Sequence, residues 1–226
     1  MRLLLFDVDG TLLRANGGGQ TAIERAVTAV TGKTARTDGV SFSGRTDPAI
    51  FRDVLRANGL PVRDDLLSNV LHAYVDAAQQ TIQPENVDCL PGVDRLLTLL
   101  ARRSDTFLGL VTGNVEPIAF HKLKTVGLAG YFSIGAFGSD HEDRSRLPPL
   151  ASERAAETAG HSFSLSEAVV IGDTGRDVDC ARAAGARAVA VCTGHPSRSE
   201  LAAATPDLLL ENFENADDLV EQILAA

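Results

Sequence analysis

The sequence predicts an α/β fold: a Rossmann-like three-layer core on a parallel sheet, plus an inserted helical cap domain. Three observations predict it. Short apolar runs recur along the chain, amphipathic helical stretches separate them, and one long interval near the start carries helical periodicity alone. Runs of apolar residues bounded by Gly and polar residues suit strands buried on both faces. Alternating strand and helix then implies right-handed crossovers onto one sheet.

The first run, Leu3–Phe6, ends in Asp7-Val8-Asp9-Gly10. The second, Thr106–Val111, ends in Thr112-Gly113-Asn114, and the third, Ala168–Ile171, in Gly172-Asp173. Ala186–Val191 and Asp207–Leu210 complete the set. Helical patterns fall between them: Val93–Arg102 with Val93, Leu96, Leu97 and Leu100 on one face, then Ile118–Val126, and the alanine-rich Pro149–Ala159 and Val178–Ala184. Between about Arg14 and Pro84 the apolar spacings fit helices only, so no strand is expected there. The expected division is a core of residues 1–13 and 85–226 and a helical cap of residues 14–84, hinged at Leu13–Asn16 and Gln83–Leu90. Such a cap opens to admit a substrate and closes to exclude water.

Composition bounds the function. The 226 residues are 44% hydrophobic and 23% charged, with a formal net charge of -9. An acidic surface disfavours a nucleic-acid partner, and no stretch reaches the roughly 20 apolar residues of a membrane span. The three cysteines, Cys89, Cys180 and Cys192, show neither paired nor zinc spacing. They suit a reducing, cytoplasmic setting. A monomer or homodimer with neither a nucleic-acid nor a membrane partner is expected.

Open α/β sheets bind ligands beyond the carboxyl ends of their strands. Three expected strands end there in Asp7 and Asp9, in Thr112 and Asn114, and in Asp173 and Asp177. Crowded carboxylates need a cation, and oxygen donors without His or Cys select a hard one, naturally Mg2+ beside a phosphate. Asp7 and Asp9 alternate along a strand and can face one side. One can attack phosphorus while the other protonates the leaving oxygen and later deprotonates water. Arg45 reads as an ordinary surface residue or, in a helical lid facing an anion pocket, as a clamp on the far end of a substrate. Thr112 reads equally as a cap for the following helix.

Asp7-Val8-Asp9-Gly10-Thr11 resembles the first motif of the haloacid dehalogenase-like hydrolases. Val111-Thr112-Gly113-Asn114 resembles their second, and Gly172-Asp173-Thr174-Gly175-Arg176-Asp177 their fourth. The insertion, with Gly44-Arg45-Thr46-Asp47 inside it, is similar to the cap of the phosphoglycolate phosphatase-like branch. The resemblance implies Asp7 as nucleophile and Asp9 as general acid/base. It implies a Mg2+ site of Asp7, the Asp9 main-chain carbonyl and Asp173, supported by Asp177. Thr112 and the backbone N–H groups of Gly113 and Asn114 would bind phosphoryl oxygens. The family's third motif supplies a Lys, which this chain lacks. Arg144 is the first candidate to replace it and Arg146 the second.

The expectation is therefore a phosphatase for a small phosphomonoester, phosphoglycolate by resemblance. A phosphomutase of the beta-phosphoglucomutase type is the nearest rival, told apart by isomer formation instead of phosphate release. A non-catalytic binding module on the same fold is the rival from another class, and intact carboxylates argue against it. A dehalogenase has no need of Asp9, and a dinucleotide-binding protein would place GxGxxG, not carboxylates, after the first strand.

Overall fold

The computed structural model describes residues 1–226. In chain order the strands are β1 (Arg2–Phe6), β2 (Leu13–Ala15), β3 (Val87–Cys89), β4 (Thr106–Thr112), β5 (Gly135–Phe137), β6 (Val169–Gly172), β7 (Arg187–Val191) and β8 (Leu208–Leu210). The helices are α1 (Gly18–Thr31), α2 (Asp47–Ala57), α3 (Asp64–Thr81), α4 (Val93–Ala101), α5 (Glu116–Thr125), α6 (Leu147–Ala159), α7 (Gly175–Ala184), α8 (Arg198–Ala203) and α9 (Ala216–Ala225). None is long and apolar enough to cross a membrane.

Six strands form one sheet in the order β5-β4-β1-β6-β7-β8, and every pairing in it is parallel. The apolar runs follow from this. On β1, Leu4 and Phe6 enter one core with Leu96 of α4, Ile118 of α5 and Leu219 of α9. Leu3 and Leu5 enter the opposite core with Ala151 of α6, Val178 of α7 and Leu201 of α8. A strand covered on both sides has no polar face to alternate with. The outcome is the three-layer α/β core expected from the sequence.

Helices α1 to α3 lie between β2 and β3, and α1 packs along α3. Two details differ from expectation. The hinge segments pair with each other, β2 antiparallel to β3, so Leu13–Ala15 is a strand where only helix was expected to follow. The edge strand β5, Gly135-Ala136-Phe137, has no apolar run to announce it and is held by backbone pairing to Leu110, Val111 and Thr112.

Candidate active site

Adjacent parallel strands β4, β1 and β6 finish at one edge of the sheet and bring their polar ends together. Asp7, Thr112, Asp173 and Asp177 are all buried there. Carboxylate oxygens of Asp7, Asp173 and Asp177 lie within 4.8 Å of one another. Gly10, at φ 82°, makes the turn after β1, and a Cβ there would fall on the Asp173 carboxylate. Only Gly combines this φ with so close an approach. Asp177 occupies the first turn of α7. Its carboxylate accepts from Thr174 N at 3.0 Å and Thr174 Oγ1 at 2.6 Å, a reciprocal cap that fixes it.

Arg144 is the cation at this cluster. Its Nη2 donates to Asp7 Oδ1 at 2.9 Å and to Asp177 Oδ1. Arg146 is exposed and stays outside the cavity, so of the two candidate arginines only Arg144 reaches Asp7. Both bonds come from one nitrogen, and Nε is buried with no partner. Arg144 therefore delivers charge at one point, as a Lys would, and not through the bidentate fork that usually separates the two residues.

A second cation was not anticipated. Lys122 of α5 is 5% exposed, and its Nζ donates to Asp9 Oδ2 at 2.7 Å and to Asn114 Oδ1 at 2.7 Å. Asn114 Nδ2 donates to Asp9 Oδ2 at 2.7 Å and to Thr112 Oγ1 at 2.9 Å. The Asp9 carboxylate is thus directed away from the other three, toward Lys122. Asn114 contributes its side chain to this link, whereas a backbone role was anticipated. The sequence held a signal for Lys122: it falls four residues after Ile118, on the buried face with Ala119 and Leu123.

Thr112 does not cap α5; Val115 occupies that position. The capping acceptor comes from the insertion instead. Asp47 Oδ2 accepts from Val115 N at 2.8 Å, and Asp47 N donates to Gly113 O at 2.7 Å. A Cβ on Gly113 would fall on the Arg45 carbonyl. Gly44-Arg45-Thr46-Asp47 is therefore seated against the loop after β4. Arg45 lines the cavity but spends its guanidinium on Asp53 and the Ala49 carbonyl.

A cavity of about 610 Å³ opens over Asp7, Asp9, Thr112, Gly113 and Asn114, roofed by Gln20, Ile23, Phe42, Ile50 and Tyr74. His195 lines this cavity, and the exposed His141 lines an adjoining one.

Burial pushes the Asp7 carboxyl up to about 6 despite Arg144, with Asp177 and Asp9 adding repulsion. Burial, then Asp177 and Asp7, raises Asp173 well above its ordinary value. Burial also raises Asp47 from 3.8 to about 6, opposed by Lys122 and the Val115 N–H. A carboxyl raised on folding binds protons more tightly in the native state, so stability falls as pH rises from 3.8 to about 6 and stays reduced above. Asp47→Asn keeps an acceptor for Val115. It is expected to stabilise the protein by about 1–3 kcal/mol at pH 8 and by almost nothing at pH 4. Urea melts at both values check this, and an equal effect at the two would refute the burial account.

The donor set fits a hard divalent cation. Asp7, Asp173 and Asp177 offer only oxygen, all three are buried, and no His or Cys is among them. When ionised, Asp7, Asp9, Asp173 and Asp177 pair with just Arg144 and Lys122, which leaves two negative charges that a divalent ion would balance.

A six-stranded parallel sheet with buried carboxylates at the carboxyl ends of its central strands defines an α/β protein whose ligand site lies at that edge. Its fold matches that of CbbY from Rhodobacter sphaeroides, solved in complex with phosphate, with a TM-score of 0.74 at 20% identity over 95% of each chain. The family model described as haloacid dehalogenase-like hydrolase matches residues 4–191, and the chain belongs to that family. Within it the chain falls in the phosphoglycolate phosphatase-like branch of phosphoric monoester hydrolases. The phosphoglycolate phosphatase of Synechococcus elongatus is 29% identical over 99% of both chains. That of Photorhabdus laumondii is 26% identical over 95% of this chain and 90% of its own.

Proposed function

We propose that this hydrolase is a Mg2+-dependent phosphatase that cleaves a small phosphomonoester in two steps through a phosphorylated Asp7. The observation that carries the reading is the separation of Asp7 and Asp9. Asp7 lies among the carboxylates beside Arg144, whereas Asp9 is turned toward Lys122 and Asn114. Two carboxylates of one motif thus sit in different environments, as a nucleophile and a proton-transfer group require.

Asp7 attacks phosphorus, and Asp9 gives its proton to the departing alkoxide. Asp9 then takes a proton from water as the water attacks phospho-Asp7, releasing phosphate and restoring the Asp7 carboxylate and the protonated Asp9. Arg144 offsets charge on Asp7 and on the phosphoryl oxygens, and Thr112 with the Gly113 and Asn114 N–H groups orients them. Mg2+, held by Asp7, Asp173, the Asp9 carbonyl and the supporting Asp177, would neutralise phosphoryl charge and align it for in-line attack. Residues 14–84 act as a cap over residues 1–13 and 85–226, swinging on the paired β2 and β3. Opening breaks the bonds from Asp47 to Val115 and from Thr46 to the Glu142 carbonyl. Phosphoglycolate, the substrate named for the relatives, is the first compound to assay.

The test is phosphate release from a panel of small phosphomonoesters with Mg2+ and with excess chelator. Release that survives chelation would overturn the metal requirement. A binding readout is independent of turnover. Mg2+ at ten times its dissociation constant should stabilise the protein by about 1.4 kcal/mol, a Tm rise of roughly 3–5 °C. In Asp173→Asn the rise should vanish; an undiminished shift would place the ion elsewhere.

A further inference from the structure

The cavity carries hydrogen-bonding capacity that the two-step reaction does not use. Tyr74 of α3 is 2% exposed, and its ring packs edge-on against Phe51 with centroids 5.1 Å apart. Its hydroxyl has no hydrogen-bond partner in the protein, yet it lines the cavity together with Asp7. Asp47 uses Oδ2 on the Val115 N–H, while its other oxygen accepts no hydrogen bond. Lys122 uses two of its three ammonium N–H bonds, on Asp9 and Asn114. Asp47, Tyr74 and Lys122 line one cavity. Three polar groups with hydrogen-bonding capacity to spare, lining one cavity and held by packing and ion pairing, describe a socket for a polar group of the ligand.

The chemistry of the socket selects that group. A hydroxyl can donate to the spare Asp47 oxygen while its two lone pairs accept from Lys122 and Tyr74, and it then satisfies all three. A carboxylate can accept from Lys122 and Tyr74, but it brings a second negative charge toward Asp47 and Asp9. An alkyl end leaves the spare capacity of all three unused. We propose that Asp47, Tyr74 and Lys122 are the specificity-determining residues for the alcohol portion of the substrate. They recognise a hydroxyl next to the ester-bearing carbon, so the substrate class is the phosphomonoester of a short polyol and not of a hydroxy acid. This rests on the phosphatase reading above and narrows it.

Three compounds isolate the effect: 2-hydroxyethyl phosphate, phosphoglycolate and propyl phosphate. They share the phosphoryl group and first carbon and differ in the terminal hydroxyl, carboxylate or methyl. p-Nitrophenyl phosphate serves as a control whose leaving group needs little help. A site built to hydrogen-bond a substrate hydroxyl discriminates strongly against analogues lacking it. The expected result is kcat/KM for 2-hydroxyethyl phosphate about tenfold or more above both analogues. In Tyr74→Phe, the ratio of 2-hydroxyethyl phosphate to propyl phosphate should shrink about tenfold. Phosphoglycolate equal to or better than the hydroxyl compound overturns the proposal while leaving the phosphatase reading intact. So does a Tyr74→Phe variant that slows all compounds equally. No turnover of any compound, the control included, would overturn the phosphatase reading itself.

Discussion

Asp7→Asn is expected to lower phosphate release by roughly 10⁴-fold or more while making the Mg2+-free protein more stable at pH 8. The two effects have one source. Asp7 is ionised at pH 8 against burial that lifts its carboxyl to about 6, with Asp177 and Asp9 beside it. Asn removes that charge, keeps an acceptor for Arg144 and should return about 1–3 kcal/mol. The gain should be full above about pH 6 and fade toward pH 4, because wild-type Asp7 takes up its proton over that interval. Single-turnover assays and urea melts across pH measure both. An Asn variant with loss of activity and no gain in stability would show that Asp7 is not held ionised at a cost.

Arg144→Ala should act in the opposite sense on stability. It strips Asp7 and Asp177 of their common counter-charge in a site where Arg144 itself is only 10% exposed. Removing one partner of a buried ion pair costs about 3–5 kcal/mol. The loss should diminish at low pH, as Asp7 takes up a proton, and in Mg2+, as a second cation takes up the charge of the cluster. Arg144→Lys should lose far less, because one nitrogen of Arg144 makes both bonds. Melts of the two variants with and without Mg2+ decide it. Arg144→Ala melting like the wild type would mean the cluster is neutralised in another way.

Legibility in the sequence followed physical rules that particular residues illustrate. Leu3–Phe6 and Val169–Ile171 were readable because strands covered on both faces leave continuous apolar runs. Gly135-Ala136-Phe137 was not, since a three-residue edge strand is set by its neighbour's backbone and not by its own side chains. Asp7, Asp9, Thr112 and Asp173 stood out because polar residues interrupt strand ends at one edge. Arg144 was found by the gap it fills, the third motif lacking its Lys, and its advantage over Arg146 emerged only from reach. Lys122 escaped because a lysine in an amphipathic helix ordinarily belongs to the solvated face. Asp47 and Tyr74 escaped for another reason: their importance comes from an insertion folding back over the sheet, and no local pattern encodes that approach.

Seating Gly44-Arg45-Thr46-Asp47 against Gly113 also limits how this protein can be recombined. Residues 14–84 look like a cassette to be exchanged between siblings at the β2 and β3 ribbon. Yet a donor cassette without a hydrogen-bond-accepting side chain at position 47 leaves the Val115 N–H unserved, and a recipient with any side chain at position 113 collides with the incoming main chain. The exchangeable unit is therefore discontinuous, a cassette plus the four residues 112–115 of its original host. Chimeras that honour this should assemble a working pocket, and those cut at the ribbon alone should fold as two halves that do not meet.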